Sequence, residues 1–324
     1  MRKALLTIGL LCFISLVYSQ KSGYDISFHQ IFDNREYFSD YGFPQTIFGA
    51  RLDASMLFMV DSVHSFAAGF NYLYEHGSSI MALVPQVNLY YRFNKPRLKM
   101  VFGSFPRRNR LDFSPAFLND TLNYYRSNVE GAFISYSKGL GEVSGFIDWT
   151  GRVSEDTRET FLAGLRASLT IKGFFVEPAF LMYHNARSRN PNDTIPLQDN
   201  GIFSLLAGYR IMNIEVPYEL SISTGYISSY NRFRPAGFTR GEGMISNIDL
   251  RYTIFGLKGV YYIGTPIDFS YGDPFYRSGN YGRLDLFTDP FRNASVESKI
   301  GWSFHFVPGE GIHHSQQILI SVTF

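Results

Sequence analysis

The 324-residue chain is poor in cysteine, tryptophan and charge. It has one cysteine, two tryptophans and 18% charged residues. The cysteine, Cys12, lies in an N-terminal apolar stretch, so the rest of the chain has no thiol for a disulfide or a thiolate metal site. Lys and Arg (30) nearly balance Asp and Glu (28), which argues against a basic surface that holds nucleic acid. A disordered chain would have more charge and fewer large side chains, so we expect a folded protein.

Long apolar runs are absent after the first 20 residues. Met1-Arg2-Lys3 is a short basic start, and residues 4–18 form an apolar stretch of about 15 residues, shorter than the roughly 20 that a spanning helix needs. Val17 and Ser19 occupy the positions that precede a signal-peptide cleavage site. The sequence therefore predicts a signal peptide over residues 1–19 and a single domain over residues 20–324. Without Arg2 and Lys3, 28 charges of each sign are left.

Aromatic residues are abundant, at 17% of the chain, and the dominant hydrophobic period is two. In residues 51–59, Arg51 and Asp53 alternate with Leu52 and other apolar side chains. Residues 160–171 and 247–254 alternate in the same way. These patterns predict strands with one polar and one apolar face. Several strands run for about ten to twelve residues, which is the length that crosses a bilayer at a tilt.

The predicted connections alternate between short and long. Lys172-Gly173 and Asp61-Ser62-Val63 are short, whereas residues 106–121, 230–243 and 265–281 are long. Short turns at one end and long loops at the other are typical of outer-membrane barrels. We therefore expect an all-β fold, a single antiparallel transmembrane β-barrel of about 16 strands (14 to 18), with short periplasmic turns and longer extracellular loops. The mean hydropathy of −0.08 fits a barrel with a polar interior.

The C-terminal strand carries a recognisable pattern. Ile318, Ile320, Val322 and Phe324 share one face. A final alternating strand that ends on Phe resembles the assembly signal of Gram-negative outer-membrane β-barrel proteins, and a leader cut before Gln20 resembles the exported proteins of Bacteroidota. The resemblance implies location in the outer membrane after signal-peptide cleavage. It also implies outer-membrane lipid and the barrel assembly machinery as partners, with homo-oligomers or outer-membrane complexes as further assemblies and no nucleic acid.

Charged residues fall on the polar parity of the predicted strands. An Arg or Lys that faced lipid near mid-membrane would cost ~2 to 4 kcal/mol, so these side chains are expected to face the lumen. The predicted pore-lining residues are Arg51, Asp53, Arg126, Glu130, Arg166, Arg210, Asp249, Arg251, Arg283 and Asp285.

One long segment is a candidate constriction loop. It carries Arg107, Arg108, Arg110 and Asp112, and by folding inward it would favour the passage of anions. Two alternatives stay open at this point. The charges are solvated on an external loop, or opposite charges pair into ladders that brace and partly close the barrel.

A passive porin-like channel for small hydrophilic solutes is the leading functional hypothesis, with no enzymatic activity, catalytic residue, cofactor or metal. The alternative is a closed or plugged barrel that acts as a surface-binding or assembly component. Its working parts would be the aromatic and basic loops at Asn231–Arg240 and Asp268–Tyr276.

A membrane-embedded hydrolase is the remote alternative. His313 and His314 follow Glu310 by three and four residues and adjoin Ser315, the residue types of a nucleophile–base pair. Proximity in sequence does not establish the geometry that catalysis needs, and adjacent strand residues point to opposite faces. The other histidines are His29, His64, His76, His184 and His305.

Overall fold

The computed structural model describes residues 21–78, 85–190, 192–213 and 218–324. The predicted signal peptide, residues 1–19, lies outside this part of the chain. No helix in the described residues is long and apolar enough to span a membrane.

Sixteen antiparallel strands among the described residues close into one barrel, in which sequence neighbours pair and β1 pairs with β16. The predicted fold class and strand number are confirmed. The strands are β1 (Lys21–Glu36), β2 (Gln45–Met59), β3 (His64–Glu75), β4 (Gln86–Asn94), β5 (Leu98–Pro106), β6 (Asn128–Lys138), β7 (Gly141–Gly151), β8 (Thr160–Ile171), β9 (Phe174–Asn185), β10 (Gln198–Asn213), β11 (Tyr218–Phe233), β12 (Thr239–Tyr252), β13 (Phe255–Gly264), β14 (Asn280–Thr288), β15 (Val296–Phe306) and β16 (Ile312–Thr323). Two short helices, α1 (Leu122–Tyr125) and the 3₁₀ helix η1 (Pro274–Ser278), lie in loops.

Loop length differs between the two ends of the barrel. The β8–β9 turn is Lys172-Gly173, whereas the 107–127 loop joins β5 to β6 and the 265–279 loop joins β13 to β14. The predicted long segment at residues 230–243 is wrong. Asn231 of β11 pairs with Thr239 of β12, so backbone pairing continues almost to the turn and leaves only residues 234–238 outside the strands.

Burial alternates along the strands as the period-two pattern requires. In β2, Arg51 is 5% exposed and Asp53 is also buried, whereas Leu52 and Met56 are exposed. Exposed large apolar side chains of this kind cover the outside of the barrel, where lipid replaces water as the solvent. At the C-terminal end, the assembly-signal residues Ile318 and Ile320 lie exposed on the outward parity of β16. Val322 shares that parity, and Phe324 follows the strand and is exposed.

Most of the predicted pore-lining charges lie on the inward parity of their strands, with two exceptions. Glu130 is exposed on the outward parity of β6, because Phe133 and Ser135 fix the odd-numbered residues as inward. It is the third residue of the strand, near the 107–127 loop. Arg126 is in the 107–127 loop and not on a strand, and its Nη1 donates to the carbonyl of Thr150 at 3.4 Å. The inward residues are Arg51, Asp53, Arg166, Arg210, Asp249, Arg251, Arg283 and Asp285.

The 107–127 loop folds into the barrel. Phe117, at its centre, is 2% exposed, and Phe113 packs edge-on against Phe146 of β7 with ring centroids 5.8 Å apart. Two ion pairs fix the loop to the wall, Arg107 with Asp148 and Asp112 with Arg166, the latter at 2.7 Å. The loop therefore lies in the lumen, as a constriction would.

The 265–279 loop packs against the 107–127 loop inside the barrel. The backbone N–H of Asn119 donates to the carbonyl of Tyr271, and the N–H of Asp273 donates to that of Pro115, both at 2.8 Å. A Cβ at Gly272 would overlap the carbonyl oxygen of Ala116. Together the two loops and the inward apolar side chains of the wall form a packed layer across the lumen.

Candidate active site

The packed layer lies between two cavities. The outer chamber, at the long-loop end, has a volume of about 680 Å³ and is lined by Asn119, Asp120 and Thr121 of the 107–127 loop. The inner chamber, of about 780 Å³, is lined by other residues of the same loop, including Arg108 and Ser127. The loop thus contributes to the walls of both chambers and keeps them apart.

Four neighbouring strands present polar side chains to the barrel interior at the outer chamber. Residues two apart on a strand share a face, and directly paired residues on adjacent strands have Cβ atoms about 4.5–5.5 Å apart. The register of β14, β15, β16 and β1 therefore creates two polar rows. One row is Arg283, His305 and His313; the next is Asp285, Ser303, Ser315 and Arg35.

His305 is held in place by two phenols. It is 2% exposed, with its Nε2 3.1 Å from the hydroxyl of Tyr37 and its Nδ1 2.6 Å from the hydroxyl of Tyr281. Phe275 stacks on the ring with centroids 4.5 Å apart. A neutral imidazole accepts at one nitrogen and donates at the other, so the two hydroxyls satisfy it fully. The ring is thereby oriented with one basic nitrogen.

Ser315 lies beside Tyr37. Its side chain is fully buried, and its Oγ has no hydrogen-bond partner of normal geometry among the described residues. Burial raises the pKa of Tyr37 and the Asp120 carboxylate raises it further, while Arg35 and the Ser315 hydroxyl offset part of this increase. Ser315, Tyr37 and His305 are thus consecutive neighbours, a hydroxyl, a phenol and an imidazole.

His313, His314 and Ser315, which are adjacent in sequence, do not share one face of β16, because neighbouring residues of a strand point to opposite faces. The Nε2 of His313 is 2.8 Å from the Glu310 carboxylate, and the backbone N–H of Phe38 donates to its Nδ1 at 3.3 Å. Both nitrogens of this ring are therefore occupied. His314 points outward, where its Nδ1 is 2.7 Å from the Gln316 amide. His305, on the adjacent strand, is the histidine that lines the chamber.

The two strand arginines of the outer chamber are both matched by carboxylates. Arg35 pairs with Asp33 at 2.6 Å and with Asp120 at 3.0 Å. Arg283 pairs with Asp285 at 2.8 Å and with Asp273 at 3.6 Å. Each arginine thereby links its strand to an inward loop.

Two loop carboxylates in this chamber differ in their protonation. Burial opposes the ionisation of Asp120, but Arg35 and Arg283 outweigh burial and lower its pKa. Burial dominates at Asp273 and raises its pKa to about 6. Asp120 is thus the more readily ionised of the two, whereas Asp273 is protonated under mildly acidic conditions.

Sequence reasoning missed the phenols and the loop carboxylates of this site. Tyr37 and His305 are 268 residues apart, so neither predicts the other. The alternation of Asp33, Arg35 and Tyr37 was the one local signal, since it places polar groups on a single face. Among the described residues, no group of three or more His, Cys, Asp or Glu side chains has the arrangement of a metal site.

The closed sixteen-strand fold identifies the class of protein, a Gram-negative outer-membrane β-barrel, as the C-terminal pattern had indicated. The chain aligns with a loop-deletion mutant of OmpT from Vibrio cholerae at a TM-score of 0.59 and 11% identity, covering 94% of this chain and 99% of that chain. It aligns with OmpF of Salmonella typhi, solved with daunomycin, at a TM-score of 0.54 and 9% identity, covering 94% of this chain and 98% of that chain. It aligns with OccK2 of Pseudomonas aeruginosa, solved with glucuronate, at a TM-score of 0.53 and 8% identity, covering 94% of this chain and 98% of that chain. Such low identities demonstrate the shared fold alone.

The chain belongs to the lipid A 3'-O-deacylase-type family, whose family model matches residues 18–306. No curated protein sequence matches it. Family membership overturns the expectation that the protein is not an enzyme, and that expectation was wrong. It depended on the absence of a short catalytic motif, whereas the polar groups of this barrel are assembled from strands at opposite ends of the chain.

Proposed function

We propose that the protein is an outer-membrane acyl-ester hydrolase that removes a fatty acyl chain from lipid A or a closely related acylated glycolipid. The observation that carries the proposal is the consecutive arrangement of Ser315, Tyr37 and His305 beside the outer chamber. The family supplies the substrate class. The long-loop end is where an outer-membrane barrel meets the outer leaflet, which contains such glycolipids.

His305 acts as the general base in this proposal and Ser315 as the nucleophile. The Ser315 proton passes to the oxygen of Tyr37 as the phenol proton passes to Nε2 of His305, while Nδ1–H donates to Tyr281. The Ser315 Oγ attacks the ester carbonyl, an acyl-serine forms, and the alcohol leaves with the proton from His305. Water then hydrolyses the acyl-serine by the same proton path and releases the fatty acid.

Substrate access requires residues 38–44 of the 37–44 loop to move while Tyr37 keeps its contacts. Tyr37 is buried at the start of this loop and lies beside both Ser315 and His305. Phe38 and Phe43 of the same loop are 72% and 69% exposed. An acyl chain that contacts these rings recovers apolar burial and stabilises the displaced loop. The loop therefore serves as the cover of the site.

The test is mass spectrometry of lipid A incubated with the purified barrel in detergent. Wild type is expected to release one fatty acid, and His305→Ala and Ser315→Ala to slow release at least ~100-fold, since general acid–base catalysis contributes about 10²–10⁴-fold. His314→Ala is the matched control, because that side chain points outward. No release by wild type, or full activity of His305→Ala, would refute the proposal.

A passive channel for small hydrophilic solutes is the competing proposal. The inner chamber, open to water and lined by charged side chains, favours it. The packed layer of Phe117, Gly272 and their neighbours opposes it and favours a plugged barrel. Swelling of liposomes in small sugars distinguishes the two, because rapid swelling requires an open lumen.

A further inference from the structure

The inner chamber is a second polar site, and the proposed chemistry does not use it. It has a volume of about 780 Å³ and extends to Asp25, Asn94 and Thr323, which lie at the short-turn end of their strands. Its walls carry four acidic side chains and six cationic ones. The cations are Arg51, Arg92, Lys99, Arg108, Arg110 and Arg166.

Four of these six cations have no carboxylate within ion-pair distance among the residues that the structure describes. They are Arg51, Lys99, Arg108 and Arg110. Arg108 donates to the hydroxyl of Ser321 at 3.4 Å, and Arg110 donates to the carbonyl of Pro106 at 2.6 Å. Neither contact neutralises a charge, so the chamber has an excess of positive charge.

Two arginines of the chamber have unused donors. The Nε atoms of Arg51 and Arg92 are buried and have no acceptor within the described part of the chain. Arg51 is only 5% exposed. Its Nη1 already donates to Asn71 and Ser127, and its Nη2 donates to the carbonyl of Tyr124. Buried donors are nearly always paired in proteins, so these N–H groups indicate a missing acceptor.

Burial and mutual repulsion make the positive charges of this chamber unfavourable. Burial lowers the pKa of Arg110 and the neighbouring Arg92 lowers it further, while Tyr90, Asp25 and Asp53 offset part of the decrease. Burial also lowers the pKa of Arg108. Arginine stays charged, so the unfavourable energy persists until an anion enters.

We propose that the inner chamber binds a small multivalent anion with phosphate or carboxylate groups, which enters from the short-turn end. Arg108 and Arg110 bind its charged groups, and Arg92 and Lys99 add to the attraction. Guanidinium groups suit both ligand types because their donors match planar or tetrahedral oxygens in pairs. This site does not depend on the proposed hydrolase activity.

Isothermal titration of the purified barrel with inorganic pyrophosphate and with citrate tests the site. Wild type is expected to bind at least one of the two, more weakly at high salt because the attraction is electrostatic. The double variant Arg108→Gln/Arg110→Gln is expected to bind at least ~30-fold more weakly, about 2 kcal/mol. Arg240→Gln, an exposed cation at the other end of the barrel, is the matched control and should bind as wild type does.

The titrations identify the ligand type and test whether the site exists. Preference for pyrophosphate assigns a phosphate ligand, and preference for citrate assigns a carboxylate. Absence of binding to wild type, or equal binding by the folded double variant, overturns the proposal. Heat-dependent gel mobility establishes that the double variant is a folded barrel, and the salt dependence of wild type gives an answer that needs no variant.

Discussion

The two chambers of this barrel are built from the same residue types but differ in whether their arginines are paired with carboxylates. In the outer chamber, Arg35 and Arg283 each lie between two carboxylates, and the neutral group between them is His305. In the inner chamber, Arg108 and Arg110 have no carboxylate partner in the described chain. Paired arginines fix loops and leave a neutral pocket for chemistry, whereas unpaired arginines create a field that attracts anions.

Removal of one arginine from each chamber should give the largest contrast. Arg35→Ala leaves Asp33, which is fully buried, and Asp120 without their cation and is expected to lower the free energy of unfolding by ~3–5 kcal/mol. Arg108→Ala removes no ion pair and is expected to change it by less than ~1 kcal/mol. Urea unfolding in detergent, followed by tryptophan fluorescence, measures both. Equal losses would mean that the two chambers do not differ in charge pairing.

The layer between the chambers is tested by its central aromatic residue. Phe117→Ala should destabilise the 107–127 loop by ~3–5 kcal/mol, because a large buried side chain is replaced by a cavity. Hydrogen exchange of the loop amides measures the change, with the exposed Phe43→Ala as the control. Unchanged protection in Phe117→Ala would show that the layer is not tightly packed.

A pair of substitutions in β8 compares the inner chamber with the lipid-facing surface. Leu165→Arg places a charge on the outward face and is expected to cost ~2–4 kcal/mol, seen as a lower yield of folded barrel. Ser168→Arg places the same charge in the inner chamber, opposite the carboxylate of Glu142 on β7, and should be tolerated. The assigned register is incorrect if the two variants assemble equally.

The smallest effect is a pH dependence confined to the outer chamber. The folded-state pKa of Asp273, raised by burial to about 6, exceeds its ordinary value of 3.8, so folding favours the protonated acid. The associated stability, less than about 3 kcal/mol, is fully present below pH 4 and is lost as the pH rises through 6. Hydrogen exchange of the 265–279 loop, corrected for intrinsic rates, should show this loss. Asp273→Asn should abolish the pH dependence, and its persistence in that variant would assign it to another group.

The sequence predicts the barrel well because strands crossing a bilayer must alternate at every second residue. The predicted strand at residues 160–171 coincides with β8, and the outward face of β16 is as expected. The predicted inward position of Glu130 and the predicted long segment at residues 230–243 do not match the structure. Both lie near strand ends, where lipid no longer imposes the alternation. There the polarity of a residue does not indicate its face.

The candidate site was much less predictable. Its contacts join β1 to β15 and the 107–127 loop to β1, and nothing local to Tyr37 or Asp120 indicates these partners. The sequence did indicate that Arg107, Arg108 and Arg110 can fold inward. It did not indicate that Arg107 is neutralised by Asp148 while the other two are left to line a chamber.

Single-channel conductance of the purified barrel in a planar bilayer tests the division of the lumen most directly. Wild type should show no steady porin-like conductance, and replacement of residues 108–125 by two glycines should produce large open channels, because that segment carries the packed layer between the chambers. Steady, porin-sized conductance of wild type would contradict the account.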